Sequence, residues 1–128
     1  MRGIRMDERK RILVIDDELS IRKLLKMELE EEGYEVVVAE DGIDALDKLS
    51  KERFDLITLD IRMPNMDGIE FLTRVREKDK KVPIIICTAY GTHKRDLVVW
   101  GADDYVIKSG DLTELKERIK ARLEGGGG

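Results

Sequence analysis

Four polar positions follow directly on apolar runs: Asp16–Asp17 after "ILVI", Asp60 after "LITL", Thr88 after "IIIC" and Lys108 after "YVI". Adjacent carboxylates at the end of a buried run repel and raise each other's pKa, so a chain that keeps them side by side needs a compensating charge. The set as a whole supplies a coherent chemistry. Three carboxylates offering only oxygen suit a hard divalent cation such as Mg2+, which keeps several waters and is held by one or two carboxylates plus phosphate oxygens. Such a cation neutralises the Asp16–Asp17 repulsion. A lysine opposite adds a point charge that pairs with a carboxylate or a phosphoryl oxygen, and a threonine hydroxyl donates to the same kind of oxygen. Other chemistries lack their residues. The sequence has no His–Cys metal cluster, and His93, without a partner nearby in sequence, reads as a surface residue. No glycine-rich phosphate loop follows the first run, where "DDELS" would repel a preformed phosphate.

The elements that must position these groups follow from periodicity. Short, Val- and Ile-rich runs at residues 12–15, 36–39, 54–59 (broken by Asp55 and Thr58), 84–87 and 105–107 predict strands buried on both faces. Pro83 opens the fourth of them, where no ladder donor is needed. Between the runs lie helical patterns. Ile21, Leu24, Leu25 and Leu29 predict one helix, ended by Gly33 as a left-handed cap. Ile43, Leu46 and Leu49 mark a second, and Ile69, Leu72 and Val75 a third. A weaker fourth covers residues 92–100 and stops at Gly101. The fifth opens on Asp111 and Glu114, spaced like a capping box, and carries Leu112, Leu115, Ile119 and Leu123 along one stripe. Fivefold alternation of strand and helix implies an α/β fold, a parallel sheet with helices on both faces. In such sheets ligands bind at the carboxyl ends of the strands, where four of the five runs deliver a polar group.

Composition narrows the function classes. The chain has 128 residues, one domain's worth, with 41% apolar and 41% charged residues, as expected of a soluble globular protein. A net charge of −4 gives no general attraction to nucleic acid or anionic membrane. The single cysteine, Cys87, excludes an internal disulfide, suits a reducing compartment and is expected to fill core space. No apolar run is long enough to span a membrane, and the basic start "MRGIRMDERKR" has no apolar segment behind it, so a cytoplasmic location is expected. That start is read as a solvated segment over residues 1–9 rather than a nucleic-acid arm. The domain itself is expected over 10–124, and 125–128 as a glycine tail or linker.

The stretches "ILVIDDE", "LITLDIRMPNMDG", "IIICTAYG" and "GADDYVIKS", in this order and spacing, give the chain a close resemblance to the receiver domain of two-component response regulators over about residues 10–123. The resemblance implies a doubly wound, flavodoxin-like five-stranded sheet of order 2-1-3-4-5 with five helices. It also implies a phosphoacceptor aspartate, here Asp60, that takes a phosphoryl group from a sensor histidine kinase or a phosphotransfer protein. By the same resemblance Asp17 ligates Mg2+ directly, Asp16 mostly through water, and the Arg62 backbone carbonyl completes the set with Asp60. Lys108 binds the phosphoryl group and Thr88 reports it. Tyr105 follows Thr88 as the switch residue, changing the face built from the fourth helix, fifth strand and fifth helix, through which a downstream target is engaged. Pro64 and Gly68 shape the loop after Asp60, Ala89 leaves room for the phosphoryl group, and Arg62 and Tyr90 flank it. No direct contact of this domain with nucleic acid or membrane is implied, nor any enzymatic turnover beyond its own phosphorylation and dephosphorylation.

Two departures from the family pattern fall near the output face. Ser109 follows Lys108 where proline is usual, and a trans Lys108–Ser109 peptide is expected, with Gly110 absorbing the change. The span from Thr88 to Gly101 is shorter than is common, so the fourth helix is expected to be short or partly unwound. Trp100, at its end, is read equally as packed on the sheet or as part of a partner surface. Two other function classes compete. An Mg2+-dependent phosphohydrolase with an aspartyl-phosphate intermediate would carry a second aspartate where Arg62 stands, and a substrate cap. A flavodoxin-like cofactor carrier would not place acids in its phosphate-binding loop.

Overall fold

The computed structural model describes residues 9–60, 68–88, 101–108 and 111–125. In chain order these form β1 (Arg11–Ile15), α1 (Leu19–Glu31), β2 (Glu35–Ala39), α2 (Gly42–Lys51), β3 (Leu56–Leu59), α3 (Gly68–Lys78), β4 (Ile84–Thr88), β5 (Asp104–Ile107) and α4 (Thr113–Lys120), the last continuing as a π turn (Ala121–Gly125). The strands pair in parallel in the order β2-β1-β3-β4-β5. This is the doubly wound sheet expected. The described residues hold four helices; the helix expected over 92–100 lies outside them, as do Arg62, Pro64, Ala89, Tyr90, His93, Trp100, Ser109 and Gly110.

Alternation along the strands builds two cores. Leu13, Ile15, Ile57, Leu59, Ile84 and Ile86 face Ala45 of α2 and Phe71, Leu72 and Val75 of α3. Ile12, Val14, Leu56, Ile85, Cys87 and Val106 face Leu25 and Leu29 of α1 and Leu115 and Ile119 of α4. Strands buried on both faces read as continuous apolar runs, which is why they were legible as such. Helix α1 ends in a Schellman motif: Gly33 adopts φ +99°, its N–H bonds the Glu30 carbonyl, and the Tyr34 N–H bonds that of Leu29.

Three expectations are corrected. β3 begins at Leu56, so residues 54–55 precede the strand. Asp55 Oδ2 there accepts the Arg11 N–H at 2.7 Å, and Phe54 lies beneath the Arg11 guanidinium, 4.9 Å from ring centroid to carbon. Ile43 is not a core residue of α2. Asp41 caps that helix by accepting the Asp44 N–H at 2.8 Å, and the phase so fixed turns Ile43 outward, 56% exposed, while Ala45 is buried. Helix α4 starts at Thr113, one residue later than a capping box headed by Asp111 requires. Asp111 still accepts the Thr113 N–H at 2.9 Å, while Glu114 pairs with Arg118.

The approach to β5 is held by Arg76 of α3. Its guanidinium donates to the carbonyls of Gly101 and Val82 and to Asp103 Oδ2, and that same carboxylate oxygen accepts the N–H of Ile84 at the start of β4. Gly101 has φ +110°, and a Cβ there would meet the Arg76 side chain at 3.0 Å. The clamp sets β5 against β4, and with it the position of Lys108.

Candidate phosphoacceptor site

Each chemistry-bearing residue at a strand exit is tied to the neighbouring strand by one more backbone bond. Asp16 N–H donates to the Ala39 carbonyl, Asp60 N–H to that of Ile15, and Lys108 N–H to that of Thr88. The ladder therefore runs one residue past β1, β3 and β5, and the side chains emerge together at the carboxyl edge of the sheet. Thr88 is the last residue of β4, paired in register with Ile107, and is 1% exposed. Asp16 and Asp60 are also buried, at 2% and 6%.

Lys108 joins them. Its Nζ lies 2.7 Å from Asp16 Oδ2 and 3.1 Å from Asp60 Oδ2, with Glu18 Oε1 at 3.9 Å. Burial works against the ammonium charge, but the hydrogen bonds and fields of Asp16 and Asp60 outweigh it and hold the Lys108 pKa well above the ordinary lysine value. Asp16 is fixed further: its Oδ1 accepts the Glu18 N–H at 2.9 Å, and its carbonyl accepts from Arg22 of α1 at 2.8 Å. Asp16, Asp17 and Glu18 each offer a carboxylate oxygen, all within 4.8 Å of one another. An all-oxygen, anionic donor set of this kind fits a hard divalent cation.

The structure thus brings Asp16, Asp60, Thr88 and Lys108 to one edge, with Asp17 exposed beside Asp16. Tyr105 is a buried member of the α2–α3 core, in register with Ile86 of β4. Arg62 lies outside the described residues. Sequence reasoning missed Glu18 as a neighbour of Lys108. The signal was present in "ILVIDDE", whose third acid follows the pair directly.

Cys87 fills core space behind Lys108 and is 7% exposed. Burial dominates its environment; the Lys108 charge opposes and those of Asp16 and Asp60 add, and the thiol is pushed up to about 11. Its thiolate fraction at pH 8 should be about a hundredfold below that of a free cysteine. Iodoacetamide should accordingly label native Cys87 at least that much more slowly than the urea-unfolded chain, as followed by intact mass. Comparable rates in the two states would contradict this placement.

Known proteins resemble this one over nearly the whole chain. The model of the response regulator receiver domain matches residues 12–120. The transcriptional regulatory protein ResD of Bacillus subtilis is 44% identical over 115 residues, which cover 88% of this chain and 48% of ResD. The chain thus spans about half the length of several curated relatives it matches. Sporulation initiation phosphotransferase F of the same organism is 39% identical, with 88% of this chain and 93% of that protein covered. The response regulator TrrA of Thermotoga maritima, solved in complex with Mg2+ and BeF, is 51% identical at a TM-score of 0.82, covering 87% of this chain and 96% of that one. TrrA has also been solved in complex with the histidine kinase ThkA, and matches there at 50% identity and a TM-score of 0.83, covering 90% of this chain and 99% of that one. With the family model matched over residues 12–120 and the sheet order that the fold requires, the chain belongs to the response regulator receiver domain family.

Proposed function

We propose that this chain is a phosphoacceptor: Asp60 takes a phosphoryl group from a phosphohistidine on a sensor histidine kinase or phosphotransfer protein. The observation that carries the reading is the Lys108 ammonium lodged between the buried carboxylates of Asp16 and Asp60 at the carboxyl edge of the sheet. An Asp60 oxygen attacks phosphorus in line. The new Asp60 O–P bond replaces the N–P bond of the donor, and the departing imidazole takes up a proton. The protein's part is to position the nucleophile and to aim fixed charge at the oxygens of the transferring group. Lys108 supplies one such charge from a site largely shielded from water. Asp17, Asp60 and the Arg62 carbonyl would hold Mg2+, with Asp16 acting through water, and the cation would add neutralising charge at the phosphoryl oxygens.

Thr88, buried at the end of β4, donates its hydroxyl to a phosphoryl oxygen on Asp60 in this reading. Its movement frees the space into which Tyr105 turns, so that phosphorylation shifts the population of a two-state surface around β5 and α4. That surface meets the downstream target. The receiver unit covers 10–124, with 1–9 and 125–128 as flanking segments. It turns over no external substrate, and it works in the cytoplasm; no helix among the described residues is long and apolar enough to cross a membrane.

The test is direct. Incubated with acetyl phosphate and Mg2+, the protein should gain one phosphoryl group by intact mass, and the Asp60→Asn variant none. Equal labelling of that variant would remove the assignment. Turnover of a generic phosphomonoester at a rate typical of a phosphatase would favour the phosphohydrolase reading instead.

A further inference from the structure

Three carboxylates of very different exposure surround the Lys108 ammonium. Asp16 and Asp60, at 2.7 and 3.1 Å, have side chains only 3% and 8% exposed, whereas Glu18, at 3.9 Å, is 60% exposed. Both oxygens of Asp16 are engaged, Oδ2 by the ammonium and Oδ1 by the Glu18 N–H. A divalent cation held by Asp17 and Asp60, with its waters on Asp16, would repel the nearby ammonium, and those waters would compete with it for Asp16 Oδ2. Lys108 would then loosen its hold on Asp16 and turn toward another carboxylate. Glu18 is the remaining carboxylate within 4 Å of Nζ among the described residues.

The backbone explains why Glu18 is available. It occupies the N-cap position of α1 with an extended conformation (φ −90°, ψ 119°), where Ser, Thr, Asp or Asn would satisfy an orphan helix N–H. The Glu18 side chain makes no such bond. A residue poorly suited to capping stands where capping is the local demand, and its carboxylate lies beside the site ammonium instead. Local rules broken in this way mark positions given over to a site.

We propose that Glu18 is a positioning residue that draws the Lys108 ammonium off Asp16 when a divalent cation binds. Asp16 is then left to the cation and its waters, and Lys108 stays beside Asp60. The inference rests on the proposed Mg2+ site and adds a residue to its workings.

The test separates this handover from the plain attraction of one more acid for a cation. The salt-screened field of one exposed carboxylate on a neighbouring divalent cation accounts for about threefold in affinity. An exposed ion pair formed on cation binding adds about two- to fivefold. Mg2+ affinity, read from the dependence of Tm on Mg2+ concentration, should therefore fall about six- to fifteenfold in Glu18→Gln. In a Lys108→Met background, where no ammonium needs a partner, the same substitution should change it only about threefold. Lys108→Gln serves as the second background if Lys108→Met does not fold. Equal factors with and without Lys108 overturn the inference and leave the Mg2+ site standing. Absence of any Mg2+-dependent stabilisation in the wild-type protein overturns both.

Discussion

Replacing Lys108 with Met lowers the stability of the metal-free protein by about 2–3 kcal/mol, the largest single-site loss expected at this edge of the sheet. Removing one partner of a fully buried ion pair costs about 3–5 kcal/mol, because the other charge is left uncompensated in a poor solvent. The Lys108 side chain keeps 17% exposure, so the figure is reduced, but two buried carboxylates lose the ammonium, not one. Urea unfolding measures the difference. Its pH dependence is also fixed in sign. The folded-state pKa of Lys108 lies above the unfolded value near 10.4, so its contribution is fully present below that pH and is lost only as pH rises through the folded pKa. The gap between wild type and Lys108→Met should therefore be the same at pH 7 and pH 9. A gap that closes by pH 9 would mean that Lys108 is not held between the two acids.

Excess chelator abolishes phosphorylation by acetyl phosphate, and Asp17→Asn raises the Mg2+ concentration required by tenfold or more. Asp17 is exposed, and among the described residues no cation pairs with it, so its charge is the least compensated in the cluster of Asp16, Asp17 and Glu18. The same substitution has the opposite effect on the empty fold. Relieving the repulsion should stabilise the metal-free protein by about 0.5–1 kcal/mol. Adding Mg2+ to the wild type raises Tm through linkage, since the cation binds only the folded arrangement of carboxylates. The opposed signs make the pair of measurements informative. A variant that loses both stability and phosphorylation would point to a structural role for Asp17 instead.

Much of this was legible in the sequence, for reasons that differ by element. The runs "ILVI", "LITL" and "IIIC" are buried on both faces, and burial on both faces leaves little but Val, Ile and Leu to choose from. The polar residue that ends each run then stands out, which is how Asp16, Asp60, Thr88 and Lys108 could be picked before any contact was known. Helix phase was harder to read. The apolar Ile43 follows Gly42 in a helix whose register is set by the Asp41 cap, and its spacing to Leu46 resembles a core stripe although the side chain faces out. Phe54 continues the apolar run of β3 in sequence, while its ring is held by Arg11 from another strand. Individual side-chain contacts between distant segments, away from the polar residues that end the strands, were beyond reach. Arg76 and Asp103 are 27 residues apart, and only the sheet order brings the end of α3 to the start of β5. Glu18 was overlooked because its nearness to Lys108 depends on the same long-range geometry.

Chemical mapping of the phosphorylated residue tests the central claim most directly. An aspartyl phosphate is a mixed anhydride, and borohydride reduces it to homoserine while unmodified carboxylates survive. After phosphorylation in Mg2+ and reduction, peptide sequencing by mass spectrometry should find homoserine at position 60, and its yield should fall to background in chelator. Homoserine at position 16 or 17, or a phosphoryl group that survives on a hydroxyl such as that of Thr88, would contradict the account.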